Sequence, residues 1–229
     1  MKSKVIAGLR PLLAILTCLA IASLVMHGLR NSDWYRSRLA RDLFSPDSEV
    51  RLRAGAGLAQ LKAQSQLLEV LKSDQQDARE MARRALEHIW FNQAGTDALE
   101  RTQEAYRAAE REDLNAALAM LDGLIKQHPD FAEGWNQRAS VHWKMSDFEK
   151  SQADCRRALE LNPNHYGAWQ GLGLCQLNRG DLAGACQSLR AALRLLPHDV
   201  ETRRSLRRCE ALLRESSSGE SRGRAIQIL

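Results

Sequence analysis

The chain has 229 residues, of which 27% are charged, 44% hydrophobic and only five proline, and its formal net charge is +5. That length and apolar share suffice for a sizeable core, and abundant Ala, Leu, Arg and Glu with no β-branched alternation point to an all-helical chain rather than a sheet. Three of the excess bases are Lys2, Lys4 and Arg10; without them 30 bases face 28 acids, which excludes the basic footprint of a nucleic-acid-binding protein.

Residues 11–29 form an apolar run with no acid and no further base, and nine of them are Leu, Ile or Val. Nineteen residues are just enough to span a bilayer. Residues 1–29 are therefore expected to be a single-pass N-terminal membrane anchor. The competing reading is a signal peptide cleaved near Ala20-Ile21-Ala22, which would leave a periplasmic or secreted protein. Leu24, Val25 and Met26 continue the apolar run past that point and favour the anchor. Bases stand on both sides of the run, so the positive-inside rule assigns no orientation. Residues 30–46 are expected to be a linker.

The next segment, residues 47–92, repeats itself. Val50-Arg51, Ala54, Leu58 and Leu61 recur 28 residues later as Ala78-Arg79, Ala82, Leu86 and Ile89, each set at helical spacing. Asp47 and Asp77 stand near the two helix entries. The pattern resembles short HEAT repeats with Val-Arg near the start of the first helix. It is expected to extend the helical stack that follows, with Trp90 and Phe91 sealing the junction.

A longer and clearer period follows. Pro129, Pro163 and Pro197 are 34 residues apart, and Trp135 and Trp169 keep the same interval. The units run over residues 98–131, 132–165 and 166–199. Asp113, Asp147 and Asp181 recur at the turn inside each unit, where an aspartate can cap the next helix. Small residues recur at Ala105, Ala139 and Gly173 and at Ala117, Ser151 and Ala185, so that the two helices of a unit can approach closely. Each proline stops the second helix. These motifs, clearest in Trp169, Leu172, Gly173, Ala185 and Pro197, resemble the tetratricopeptide repeat (TPR) family. The resemblance implies a right-handed α-α superhelix of about three repeats. Residues 200–214 are expected to be a capping helix with a basic stripe at Arg203, Arg204, Arg207 and Arg208, and residues 215–229 a disordered tail.

No His-Glu-x2-His, Gly-x-Ser-x-Gly or phosphate-loop motif is present, and the glycine pairs Gly55-x-Gly57 and Gly171-x-Gly173 lie inside helical pattern. His128, His165 and His198 fall in the turns beside the prolines, read as ordinary turn residues. Cys155, Cys175, Cys186 and Cys209 lack Cys-x2-Cys spacing and are expected as buried packing residues, with a Cys175–Cys186 bridge as the oxidised alternative. No catalysis, metal, cofactor or small-molecule substrate is expected.

The family resemblance places the binding surface on the first helix of each unit. The residues implied are Leu99, Thr102, Tyr106 and Ala109; Glu133, Asn136, Ser140 and Trp143; Gly167, Gln170, Leu174 and Leu177. Arg204 and Arg208 would close the far end. Tyr106 and Trp143 are the candidate anchors, with packing of Trp143 on Phe148 or Met145 as the alternative, and Asn136 and Gln170 are placed to bond the backbone of an extended peptide. Where relatives clamp the acidic tails of heat-shock chaperones, this chain has Thr102, Tyr106, Gln137, Gly167 and Gly171, none of them charged, which disfavours that ligand. The expectation is a membrane-anchored, non-catalytic adaptor that binds a protein or peptide. A secreted or periplasmic binding protein, or a non-catalytic subunit of an enzyme complex, is the alternative.

Overall fold

Each aspartate at a hairpin turn caps the helix behind it. Asp113, Asp147 and Asp181 each accept a hydrogen bond from the amide three residues on, at 3.2, 3.3 and 2.9 Å. Each such cap contributes about 1 kcal/mol. Serine and aspartate do the same at Ser32 and Asp47.

The computed structural model describes residues 17, 20, 22–24, 28–29 and 32–226, with side chains to residue 216. Among them every regular element is a helix. The helices are α1 (Asp33–Asp42), α2 (Ser48–Gln60), α3 (Gln64–Val70), α4 (Gln76–Phe91), α5 (Thr96–Glu110), α6 (Leu114–Gln127), α7 (Ala132–Lys144), α8 (Phe148–Leu161), α9 (Tyr166–Asn178), α10 (Leu182–Leu195) and α11 (Val200–Ile226). The apolar run at residues 11–29 lies largely outside the described residues. Among those described, no helix is long and apolar enough to cross a membrane.

The chain divides into two compact units, Met1–Ala85 and Leu86–Leu229. In the first, Leu39, Leu43, Leu58, Leu67 and Leu71 are buried, and the stretch expected to be a linker instead carries α1. Leu39 within it and Leu43 at its C-cap stand four residues apart, a pair too short for periodicity to register. The 28-residue repeat has a structural counterpart. Arg51 and Arg79 each donate to a carbonyl six residues upstream, Ser45 and Ser73 respectively, both at 2.8 Å. Arg51 also pairs with Asp77 at 2.9 Å.

The second unit is a run of antiparallel hairpins, α5–α6, α7–α8 and α9–α10, closed by α11. The second helices begin at Leu114, Phe148 and Leu182, each 34 residues after the last. Trp135 and Trp169 each donate from the indole nitrogen to the carbonyl of the preceding proline, Pro129 at 3.0 Å and Pro163 at 2.8 Å. Arg203, one period after Trp169, donates likewise to the Pro197 carbonyl, so α11 is built as the first helix of a further unit. Arg203 is thereby a structural residue rather than part of a free basic stripe. The tail expected to be disordered continues α11 through Ile226.

Packing inside each hairpin relies on the small residues. A Cβ at Gly173 would lie 2.7 Å from the Leu189 Cγ and 3.2 Å from the Leu189 backbone nitrogen. The Ser151 hydroxyl donates to the Ala139 carbonyl at 2.8 Å, tying α8 to α7. Between α6, α7 and α8, Arg138 donates to both oxygens of buried Asp154 at 2.8 and 2.7 Å and to Asp122 at 2.7 Å. Its guanidinium lies 4.8 Å from the Trp135 ring, and the bond to Asp154 raises its pKa above the usual arginine value.

Candidate functional site

Two open cavities lie along the first helices of the hairpins, both within the second unit. The first, about 520 Å³, is lined by Leu99, Thr102, Gln103, Tyr106 and Arg107 of α5, Gln137 of α7, and Glu87, His88, Phe91 and Asn92. The second, about 370 Å³, is lined by Asn136, Ala139, Ser140, Trp143 and Lys144 of α7, Gly167, Gln170, Gly171 and Leu174 of α9, and Ser151 and Cys155 of α8. A helical residue four or seven places on returns to the same face, which is why Leu99, Thr102 and Tyr106 share one wall and Asn136, Ser140 and Trp143 another.

Most of the expected binding residues are therefore brought together. Tyr106 is 56% exposed, as an anchor for a partner would be. Asn136 is partly held, donating to Glu133 at 3.3 Å, and its carbonyl accepts from the Ser140 hydroxyl at 3.1 Å. Trp143 is half-buried with its ring 4.8 Å from Phe148, so it serves the core and the cavity wall together. The five positions weighed for chaperone tails divide between the cavities, with Thr102, Tyr106 and Gln137 in the first and Gly167 and Gly171 in the second.

Three expected site residues stand elsewhere. Leu177 packs against the last core cluster of Ala185, Cys186, Leu189 and Cys209, because its place on α9 faces the helices that close the stack. Arg204 and Arg208 are exposed on α11, Arg204 beside Glu201 at 3.3 Å, and neither lines the two cavities. The Cys175–Cys186 pairing is also not formed. Cys175 turns toward α8 and contacts the Ser151 hydroxyl at 3.1 Å, whereas Cys186 lies against Cys209.

Sequence reasoning missed the polar pair between the cavities. The sequence pattern puts His165 in a turn and the family resemblance puts Glu133 on the open surface, yet both are 3% exposed. His165 Nδ1 accepts from the Ala168 amide at 3.2 Å and so caps α9. Its other ring nitrogen then carries the proton and donates to Glu133 at 2.9 Å. The Trp90 ring stacks on His165 at 4.8 Å and 22°, and the Tyr166 hydroxyl donates to Glu87 at 3.0 Å. Trp90, expected to seal a junction at the start of the stack, thus lies over the entry to its third hairpin. The legible signal was the position of His165 immediately before a helix, where a capping acceptor belongs.

Chemically the cavities offer hydrogen-bonding amides, a phenol, an indole face and aliphatic surface. Among the described residues no cluster of three or more His, Cys, Asp or Glu is arranged to hold a metal. Cys155, on the wall of the second cavity, has its thiol pKa raised far above normal by burial, with the neighbouring Cys175 adding to the effect.

This arrangement defines a class, the helical-repeat proteins, in which successive hairpins present the walls of an open trough. Within that class, the hairpins are of the tetratricopeptide repeat kind. The tetratricopeptide repeat family profile matches residues 136–200. A TPR repeat-containing protein of Rhizobium etli is 38% identical over 79 residues, 34% of this chain and 39% of that protein. The human protein SGT1 homolog is 33% identical over 110 residues, 48% of this chain and 29% of its own length. The chain therefore matches well under half the length of these relatives. The Sgt2 TPR domain from Aspergillus fumigatus superposes with a TM-score of 0.51 at 20% identity, over 53% of this chain and 82% of that domain, a likeness of fold.

Proposed function

We propose that the protein is a non-catalytic adaptor that holds a polypeptide partner along the two cavities of its TPR hairpins. The observation that carries this reading is the pairing of exposed Tyr106 in one cavity with Asn136 and Gln170, exactly one 34-residue period apart, in the other. Two side-chain amides at that interval suit the repeating donors and acceptors of an extended backbone, and an exposed aromatic supplies the apolar anchor. The experiment is site-specific photocrosslinking in native cells from positions 106 and 170, with half-exposed Arg157 on α8, which lines neither cavity, as the control. A common partner is expected from the first two sites and not from the third, and its capture should fall at least tenfold in the Tyr106→Ala/Gln170→Ala double variant at unchanged melting temperature. Crosslinks confined to position 157 would refute the assignment.

Residues 11–29 are read as the membrane anchor, on the strength of a largely apolar run that holds no Asp, Glu, Lys or Arg, with signal cleavage as the alternative. Alkaline carbonate extraction together with the intact mass of the mature chain distinguishes the two. Residues 47–92 are read as a HEAT-like repeat segment, supported by the matching contacts of Arg51 and Arg79.

A further inference from the structure

Where the last hairpin meets the terminal helix, two thiols face each other. Cys186 of α10 and Cys209 of α11 are 1% and 0% exposed, and their sulfur atoms are 2.9 Å apart. Leu189, Ala185, Leu177, Leu182 and Leu206 surround them. The Cys209 sulfur also lies 3.1 Å from the Leu182 carbonyl. The other two described cysteines are differently placed: Cys175 is engaged with Ser151, and Cys155 lies under Gly171.

We infer that Cys186 and Cys209 are a dithiol–disulfide site that, on exchange with a low-molecular-weight disulfide, covalently fastens α11 to the last repeat. A disulfide bond is about 2.05 Å long, so closing the pair asks for less than about 1 Å of side-chain movement with both helices in place. The chemistry balances as follows. The thiolate of one cysteine attacks the small disulfide, giving a mixed disulfide and releasing one small thiolate. The second cysteine's thiolate attacks the protein sulfur of the mixed disulfide and releases the other. The two protons lost by the protein end on the two small thiols, and the electron pair passes to the small disulfide.

Burial and the neighbouring Cys186 thiol push the Cys209 pKa up to about 12, so Cys209 is a poor nucleophile while the pair is closed, and burial keeps a small disulfide from both sulfurs. Exchange therefore proceeds when α11 swings out, and the bond once formed holds the capped state. The site is independent of the cavities and of what they bind.

The test uses the full chain incubated with oxidised glutathione in low urea, which lets the terminal helix open. Remaining thiols are then alkylated in denaturant and the peptides mapped. A Cys186–Cys209 linked peptide is expected, with Cys155 and Cys175 alkylated. The bond closes a loop spanning 23 residues, and the constraint on the unfolded chain raises the melting temperature by on the order of 10 °C over the reduced protein. Cys209→Ala should abolish both the linked peptide and the temperature difference between oxidised and reduced samples. Recovery of Cys186 and Cys209 as alkylated peptides, a Cys175–Cys186 link, or an oxidised sample melting no higher than the reduced one would each overturn the inference.

Discussion

Replacing Gly173 by alanine isolates the close approach on which the hairpins depend. In α9 the substitution by itself favours helix by about 1 kcal/mol, because glycine surrenders more backbone freedom on folding. The added methyl, however, would stand 2.7 and 2.9 Å from the Cγ and Cδ2 of Leu189 and 3.2 Å from its backbone nitrogen. Leu189 is fully buried and cannot swing away, so α10 itself must shift. Overpacking of this kind costs about 2–3 kcal/mol, leaving a net loss of about 1–2 kcal/mol. Gly123 in α6 is the internal control. There an added Cβ meets only the end of the flexible Arg101 side chain at 3.9 Å, so Gly123→Ala should gain about 0.5–1 kcal/mol. Urea denaturation followed by far-ultraviolet circular dichroism, with slopes compared to confirm an unchanged transition, measures both variants. Opposite signs are expected. A Gly173→Ala protein stabilised to the same extent as Gly123→Ala would refute close packing as the reason for a small residue at this place.

Other substitutions probe the remaining features. Trp90→Ala removes the 3% exposed ring above His165 and should cost about 3–5 kcal/mol in stability, read by calorimetry. Arg138→Ala leaves buried Asp154 without its two-pronged partner and should cost about 3 kcal/mol; Asp122→Ala, which removes an exposed partner, should cost under about 1 kcal/mol. His142 is 8% exposed, its Nδ1 has no hydrogen-bond partner among the described residues, and desolvation lowers its pKa from 6.5. The unfolded chain then binds the proton more readily than the folded one. Stability from this group is complete above pH 6.5 and is lost as pH falls below it, until the lower folded-state pKa is passed. Chemical denaturation at successive pH values should show this decline, flattened in His142→Asn.

Much of the architecture was legible in the chain because its causes are local. Proline stops a helix wherever it stands, aspartate caps the amide three residues on, and a 34-residue interval returns each of these to an equivalent turn. The place of Tyr106, Asn136 and Gln170 on cavity walls was what the family resemblance implied. Helix α1 was hidden because two buried leucines carry too little periodicity to distinguish a helix from a linker.

Other assignments depended on which side chain faces which across helices distant in sequence. Leu177 obeys the repeat spacing expected of a groove residue, yet at the last unit its neighbours are α10 and α11, and it joins their core. Glu133, His165 and Trp90 are separated by up to 75 residues, and nothing local marks them as partners. Cys186 of α10 meets Cys209 of α11 rather than Cys175 because Cys175, on α9, turns toward Ser151 of α8. Short-range sterics and capping wrote the period into the chain; the burial of a polar pair and the contact of two thiols arise only when the hairpins stack, since both are properties of distance in space.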